Sequence, residues 1–365
     1  RYSFLSPLFI VPTTTTLFLY LMDNLFLSAL NGHKTSRAPF WFMRQAGRYL
    51  PEYRALRSKT DGFLSLCLNS RLACEVTLQP IYRFEPDAAI LFSDILIVPY
   101  GLGMSVDFIE GKGPILDAII DGSGIRRLNQ QQYRNRIEAT YETVRLCRDR
   151  LPQDKALIGF AGSPWTVVTY MIEGGASKNY AKVKSWAYRD EQSFNTLIKI
   201  VTAATIEHLS AQIDQGVDAV KLFDSWAGVL SPSQFKKWVI KPTSEIVEAI
   251  NTKYPTVKVI GFPRGAGNQY VDYVNKTKVD AVAIDTNVVP DWAAKAFDKK
   301  VVIQGNLDPI ALIVGGERML SEATTIVESM KSRCHIFNLG HGVLPETPPE
   351  NVEILARFLR SYGER

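Results

Sequence analysis

The chain has 365 residues, 46% of them hydrophobic and 22% charged, which is the composition of a globular protein with ample core. The formal charge of +5, from 42 basic and 37 acidic residues, is too small an excess to argue for nucleic acid and is compatible with a basic pocket for an acidic small molecule. Cys67, Cys74, Cys147 and Cys334 form no CxxC pair, so zinc-site and dithiol-redox readings find no support, and buried thiols in a reducing compartment fit instead.

The first stretch, "YSFLSPLFIVPTTTTLFLYLM" (2–22), carries no charge. Its length approaches the ~20 residues that span a bilayer. Two prolines and four consecutive threonines weaken a spanning helix, and Arg1 is its sole flanking cation. Residues 1–30 are read as an N-terminal extension, with three readings open: a disordered arm, a targeting segment, or residues foreign to the native chain. Residues 31–365 are read as one catalytic domain. No later apolar run is long enough for a membrane span.

From there the chain alternates. Eight short apolar runs appear in order: "PFWFM", "DAAILF", "ALIGF", "AVKLF", "VKVIGF", "AVAID", "VVIQG" and "HIFNLG". Near-continuous apolar runs suit strands buried on both faces of a parallel sheet. The segments between them read as helices. "RLACEVTLQPIYRF" follows the first run. "NTLIKIVTAATIEHLSAQIDQG" ends at Gly216, a C-cap signal. "SPSQFKKWVIKPTSEIVEAINTKY" has Ser231 as N-cap and Pro232 at the first helical position. "DWAAKAFDKK" precedes the seventh run, and "TPPENVEILARFLRSYG" closes the chain with Thr347 as N-cap. The stretch "GLGMSVDFIEGKGPILDAIIDG" reads as a hairpin or loop insertion. Eight strand–helix units predict an α/β fold, a single-domain (β/α)8 TIM barrel. The main rival is an open doubly wound sheet.

In such a barrel the active site lies at the C-terminal ends of the strands. The residues found there are Arg44 and Arg48, Ser93 and Asp94, Ser163 with Tyr170 behind it, Asp224 and Ser225, Arg264, Asp285, Asn306 and Asp308, and His341. On a helical turn, Arg44 and Arg48 would share a face, and Gly47 would let a ligand approach the backbone. Guanidinium groups bind carboxylates through paired hydrogen bonds. The commoner explanation of such a pair is a solvated helix face, with Glu52 neutralising one cation; the strand-end position favours an anion site. Asp94 reads either as a cap or as a fixed carboxylate among cations, ionised because positive charge lowers its pKa. Asp224 and Ser225 stay open between capping and function, and Asp285 and Asp308 read as structural. His341 lies between two glycines that would expose it. His208 falls inside a helix and His335 at the opposite strand end.

The segments "FWFMRQAGRYLPEYR", "LFSDIL", "GFAGSPWTVVTYMIEGG", "LFDSWAG" and "NLGHGVLPETPPENV" closely resemble the uroporphyrinogen decarboxylase family, over roughly Asn31 to the C-terminus. The resemblance implies a homodimeric barrel of tetrapyrrole biosynthesis that removes the four acetate carboxyls of uroporphyrinogen III, giving coproporphyrinogen III and carbon dioxide. It implies no metal and no organic cofactor. It carries substrate binding to Arg44, Gln45, Ala46, Arg48, Arg57, Asp94, Tyr170, Ser225 and His341, and catalysis to Asp94, Arg44 and Tyr170. It further implies a small-molecule substrate, no nucleic acid and no stable membrane association. The cytoplasm is the expected compartment, or a plastid or other organelle if residues 1–30 are a targeting segment. A related barrel methyltransferase would need a zinc-bound thiol site with a His-x-Cys pair; after the fifth run the chain reads "GFPRGAGNQ", with neither residue. A non-catalytic tetrapyrrole-binding barrel is the other alternative.

Overall fold

The computed structural model describes residues 24–109 and 111–362. Seven of the eight apolar runs are strands of one parallel sheet: β1 (Ala88–Ile90), β4 (Ala156–Gly162), β5 (Ala219–Asp224), β6 (Lys258–Pro263), β7 (Ala281–Ala283), β8 (Val302–Gln304) and β9 (His335–Ile336). They pair in that order, each parallel to the next. The two strands between, β2 (Val106–Ile109) and β3 (Gly113–Leu116), form the expected hairpin. It docks through Leu116 N–H on Gly174 O, just past the helix Pro164–Glu173. All seven residues of β4 are buried, as a strand covered on both faces must be.

The first run, "PFWFM", is not a strand. Phe40 makes a single parallel bridge to Phe337. Phe337 N–H donates to Pro39 O at 2.8 Å, and Asp87 N–H to Phe40 O at 2.9 Å, so the run touches β9 on one side and the residue before β1 on the other. Side chains take the amides a ladder would use. Phe40 N–H goes to Asp87 Oδ2, Phe42 N–H to Gln45 Oε1, and Met43 N–H to Asn338 Oδ1. Asp87 also accepts both Nη atoms of Arg37 at 2.7 Å.

The helices follow the pattern with shifted ends. The expected helix after Ser231 is interrupted by a π-helical segment, Lys236–Ile240, between Pro232–Phe235 and Lys241–Lys253. The last helix is capped at Pro348 rather than Thr347. Residues 1–23 of the expected extension lie outside the described residues. Residues 25–30 belong to the folded body: Asn24 caps the helix Leu25–Leu30 through Leu27 N–H, and Phe26, Leu27, Ala29 and Leu30 are buried in the main core. An uncharged stretch before it hid this helix from the sequence pattern. Among the described residues no helix is long and apolar enough to cross a membrane.

Candidate functional site

The site begins with a turn, not a helix. Arg44 and Arg48 precede the helix Pro51–Arg57, and Arg44 has φ 59°. A left-handed non-glycine residue costs about 1–2 kcal/mol and persists where its surroundings enforce it. Gln45 does the enforcing. It is buried, its N–H bonds Phe42 O, its Oε1 accepts from Phe42 N–H, its Nε2 donates to Ala88 O, and its own carbonyl accepts from Tyr49 OH. Expected among the substrate contacts, Gln45 has its amide engaged by the scaffold, where it ties the arginine turn to β1. Ala46 is half-buried against the apolar cluster beneath.

Arg44 is reachable by solvent yet crowded by protein, as a cavity wall is. Burial lowers its pKa; Asp94 and Tyr170 oppose the drop, and Arg48 and Arg264 add to it. These four groups therefore share its electrostatic neighbourhood. The side chain lies over Gly342, where a Cβ would come within 2.4 Å of Arg44 Cδ. Gly340 packs against the backbone of Thr286 in the same way. The glycines flanking His341 thus make room for neighbours rather than expose the ring, which is partly buried.

No carboxylate lies within 4.0 Å of Arg44, Arg48 or Arg264 among the described residues, and Glu52 pairs with Arg83 instead. Arg57 does not join the group; its Nη1 donates to Thr60 O and Oγ1.

Asp94 follows β1. Its Oδ1 accepts from Leu96 N–H at 2.8 Å, so it shapes the turn as a cap would while facing Arg44. Burial raises its pKa to about 6, against the pull of the Leu96 amide and Arg44. The expected lowering by cations is outweighed by desolvation. Tyr170, on the helix Pro164–Glu173, has its ring 6.1 Å from that of Trp226 at a tilt of 53° and interacts electrostatically with both Asp94 and Arg44; burial raises its pKa.

Asp224, at the end of β5, is tied to the helix that follows β4 through one of its two carboxylate oxygens. Thr166 Oγ1 donates to its Oδ1 at 2.5 Å and accepts from Trp226 N–H, which fixes Ser225 between them. Ser225 and His341 line a cavity of about 270 Å³ together with Tyr180, Arg264, Asp285 and Asn287. His341 is neutral at pH 7: burial, Arg44, Arg264 and Lys221 bring its pKa to about 3. Arg44, Asp94 and Tyr170 adjoin this cavity without lining it. The other histidines are held elsewhere, His208 beside Tyr141 OH and His335 on Gly305 O.

One residue escaped the sequence reading, and another was named there without a role. Arg264 stood out only as the polar residue after the fifth run. Lys221 sat inside an apolar run, where it gave no signal. It is fully buried, without a hydrogen-bond partner, and lies about 5 Å from the rings of Trp41, Phe223 and Phe262.

The arrangement brings arginines without carboxylate partners together beside a half-buried carboxylate. The model of the family described as uroporphyrinogen decarboxylase (URO-D) matches residues 22–362. The chain belongs to the uroporphyrinogen decarboxylase family. It is 47% identical to the uroporphyrinogen decarboxylase of Rhodospirillum rubrum, over 92% of this chain and 97% of that one. It is 45% identical to the uroporphyrinogen decarboxylase of Novosphingobium aromaticivorans, over 94% and 100%. A solved methyltransferase from Methanosarcina mazei shares the fold at TM-score 0.75 and 16% identity, covering 93% of this chain and 98% of that one. Against the uroporphyrinogen decarboxylase family, the turn "RQAGRYLPEY" is where the two unpaired arginines sit.

Proposed function

We propose that this chain decarboxylates the acetate arms of uroporphyrinogen III to give coproporphyrinogen III and carbon dioxide. The observation that carries the reading is the pair of arginines without a carboxylate partner, one of them beside the half-buried Asp94, in a chain of this family. The substrate carries eight carboxylates, so the missing partners of Arg44 and Arg48 are its arms. Each round consumes one proton: an acetate loses carbon dioxide and becomes a methyl group. The electrons need a sink, and a pyrrole protonated at a ring carbon is one, so no organic cofactor or metal enters the proposal. Asp94, ionised above about pH 6, accepts hydrogen bonds from pyrrole N–H groups and stabilises the cation as it forms. Arg44 orients an acetate, and Tyr170 stands near both groups. His341, being neutral, donates a hydrogen bond rather than a charge.

The catalytic body is one domain from the helix at Leu25 onward. Its closed form is an eight-stranded (β/α)8 barrel with the Phe40 segment as eighth member; the Pro39 and Phe40 backbone bonds on both sides support this. The family resemblance supports a homodimer, which equilibrium sedimentation tests, and a cytoplasmic site of action, which fractionation tests. The deciding experiment is product analysis on uroporphyrinogen III. Formation of coproporphyrinogen by the parent and its loss in Asp94→Asn, with a chelator making no difference, is the expected result. Near-normal turnover by Asp94→Asn would sink the role given to Asp94.

A further inference from the structure

We infer that Arg264 seats a carboxylate of the substrate, on an arm that is not losing carbon dioxide in that round. The inference rests on the decarboxylase reading and adds a residue and a subsite to it.

The recess beside the Asp94 centre offers donors. Arg264 contributes its guanidinium, Ser225 and Tyr180 their hydroxyls, and His341 a ring N–H. One carboxylate lines it, Asp285, and both its oxygens are engaged. Oδ1 accepts from Asn287 N–H at 3.0 Å, and Oδ2 from Gly265 N–H at 2.7 Å and Tyr270 OH at 2.9 Å. Arg264 therefore has no ion-pair partner among the described residues. Burial first, and then the positive field of Arg44 and Arg264, keep His341 unprotonated. A cationic or uncharged guest leaves that field uncompensated; a carboxylate matches it in charge and in the two-pronged geometry of the guanidinium.

The backbone of Arg264 is held on both sides. Its N–H donates to Asp224 O at 3.1 Å, and its carbonyl accepts from Gly228 N–H at 3.0 Å. The loops after β5 and β6 press together so closely that a Cβ on Gly228 would fall 2.4 Å from Gly265 O. Gly265 adopts φ +74° and is anchored by Asp285. A cation whose backbone is fixed before the ligand arrives has only its side chain left to order on binding. Arg44, Asp94 and Tyr170 do not line the recess, so the arm seated there is held away from the reacting one.

The test compares the parent, Arg264→Gln and Arg264→Lys in two assays. In turnover of uroporphyrinogen III, Arg264→Gln is expected to raise KM about tenfold or more with kcat changed far less, and Arg264→Lys to raise it less. In calorimetric binding of coproporphyrinogen III, which has kept its propionate arms, Arg264→Gln is expected to weaken affinity by a similar factor. Thermal unfolding accompanies both assays, and Arg264→Lys keeps the charge if the glutamine variant fails to fold. Equal KM and equal product affinity in parent and variants would overturn the seat. A fall in kcat at unchanged KM would overturn it too, by moving Arg264 to the reacting centre. A parent that binds the product in an Arg264-dependent way but does not turn over uroporphyrinogen would leave the seat standing and defeat the decarboxylase reading.

Discussion

At Asp94 two opposing effects meet, and burial prevails over the arginine beside it, setting its pKa at about 6. Because that value is raised, the folded protein binds the proton more readily than the unfolded chain does. The ionised carboxylate is thus a destabilising group above about pH 6 and a neutral one below the ordinary Asp range. Asp94→Asn should therefore melt at a higher temperature than the parent at pH 7, with the gap closing below about pH 4; calorimetric scans across pH check this. The acid limb of kcat/KM should fall near pH 6, and carboxyl-carbon NMR should show the Asp94 titration moving upward in Arg44→Gln, which removes the charge that holds it down. Lys221 has the same imbalance with the opposite charge. Burial pushes its amine well below the ordinary lysine range, so the unfolded chain binds the extra proton, and the parent gains stability as pH rises toward the unfolded lysine value. Lys221→Met should raise the melting temperature at pH 7, and the gain should shrink above about pH 10. A variant less stable at both pH values would show the three-ring cage to outweigh desolvation.

At the scale of elements, the site depends on contacts between loops from different strands. Arg44 reaches its position because Gln45 clamps its turn to β1 and because Gly342, from the loop after β9, leaves room for its side chain. Gly342→Ala should displace the guanidinium while leaving the fold intact, lowering kcat/KM by about 10–100-fold with an unchanged melting temperature. A variant with full activity would mean the arginine has another usable path. The eight apolar runs were legible as elements because burial on both faces leaves continuous hydrophobic stretches. The exception was "PFWFM": it has the composition of a strand, but Asp87, Gln45 and Asn338 take its amides, and no local pattern encodes that. The condition for Arg44 and Arg48 to share a helix face is not met for a related reason, since the left-handed φ at Arg44 is imposed from outside the segment.

At the scale of the whole molecule, the Phe40 segment joins the β1 end of the sheet at Asp87. Its buried carboxylate holds Arg37 and the Phe40 amide at once, while its backbone continues toward β4 through Ala156 N–H. Asp87→Ala would leave the largely buried Arg37 guanidinium without its carboxylate and the buried Phe40 amide without a partner, a loss of about 3–5 kcal/mol. Urea unfolding should show that drop, and turnover should fall with it because the first apolar run leads directly into the arginine turn. Stability close to the parent's would mean that the junction is held by the Phe40–Phe337 bridge instead.

The order of strands and helices, the strand ends as the place of chemistry, and the family match through "RQAGRYLPEY" were determined by the sequence alone. Each depends on periodicity or on a contiguous motif, and both are local. The tertiary structure alone decided which groups meet. It clamped Gln45 to the scaffold, turned Arg57 onto Thr60, brought Arg264 to the cavity and enclosed Lys221 among three rings. It also gave Asp94 its raised pKa. Desolvation and long-range contact depend on what surrounds a residue in space, and Met43 and Val343, hydrogen-bonded through their backbones, lie 300 positions apart in sequence.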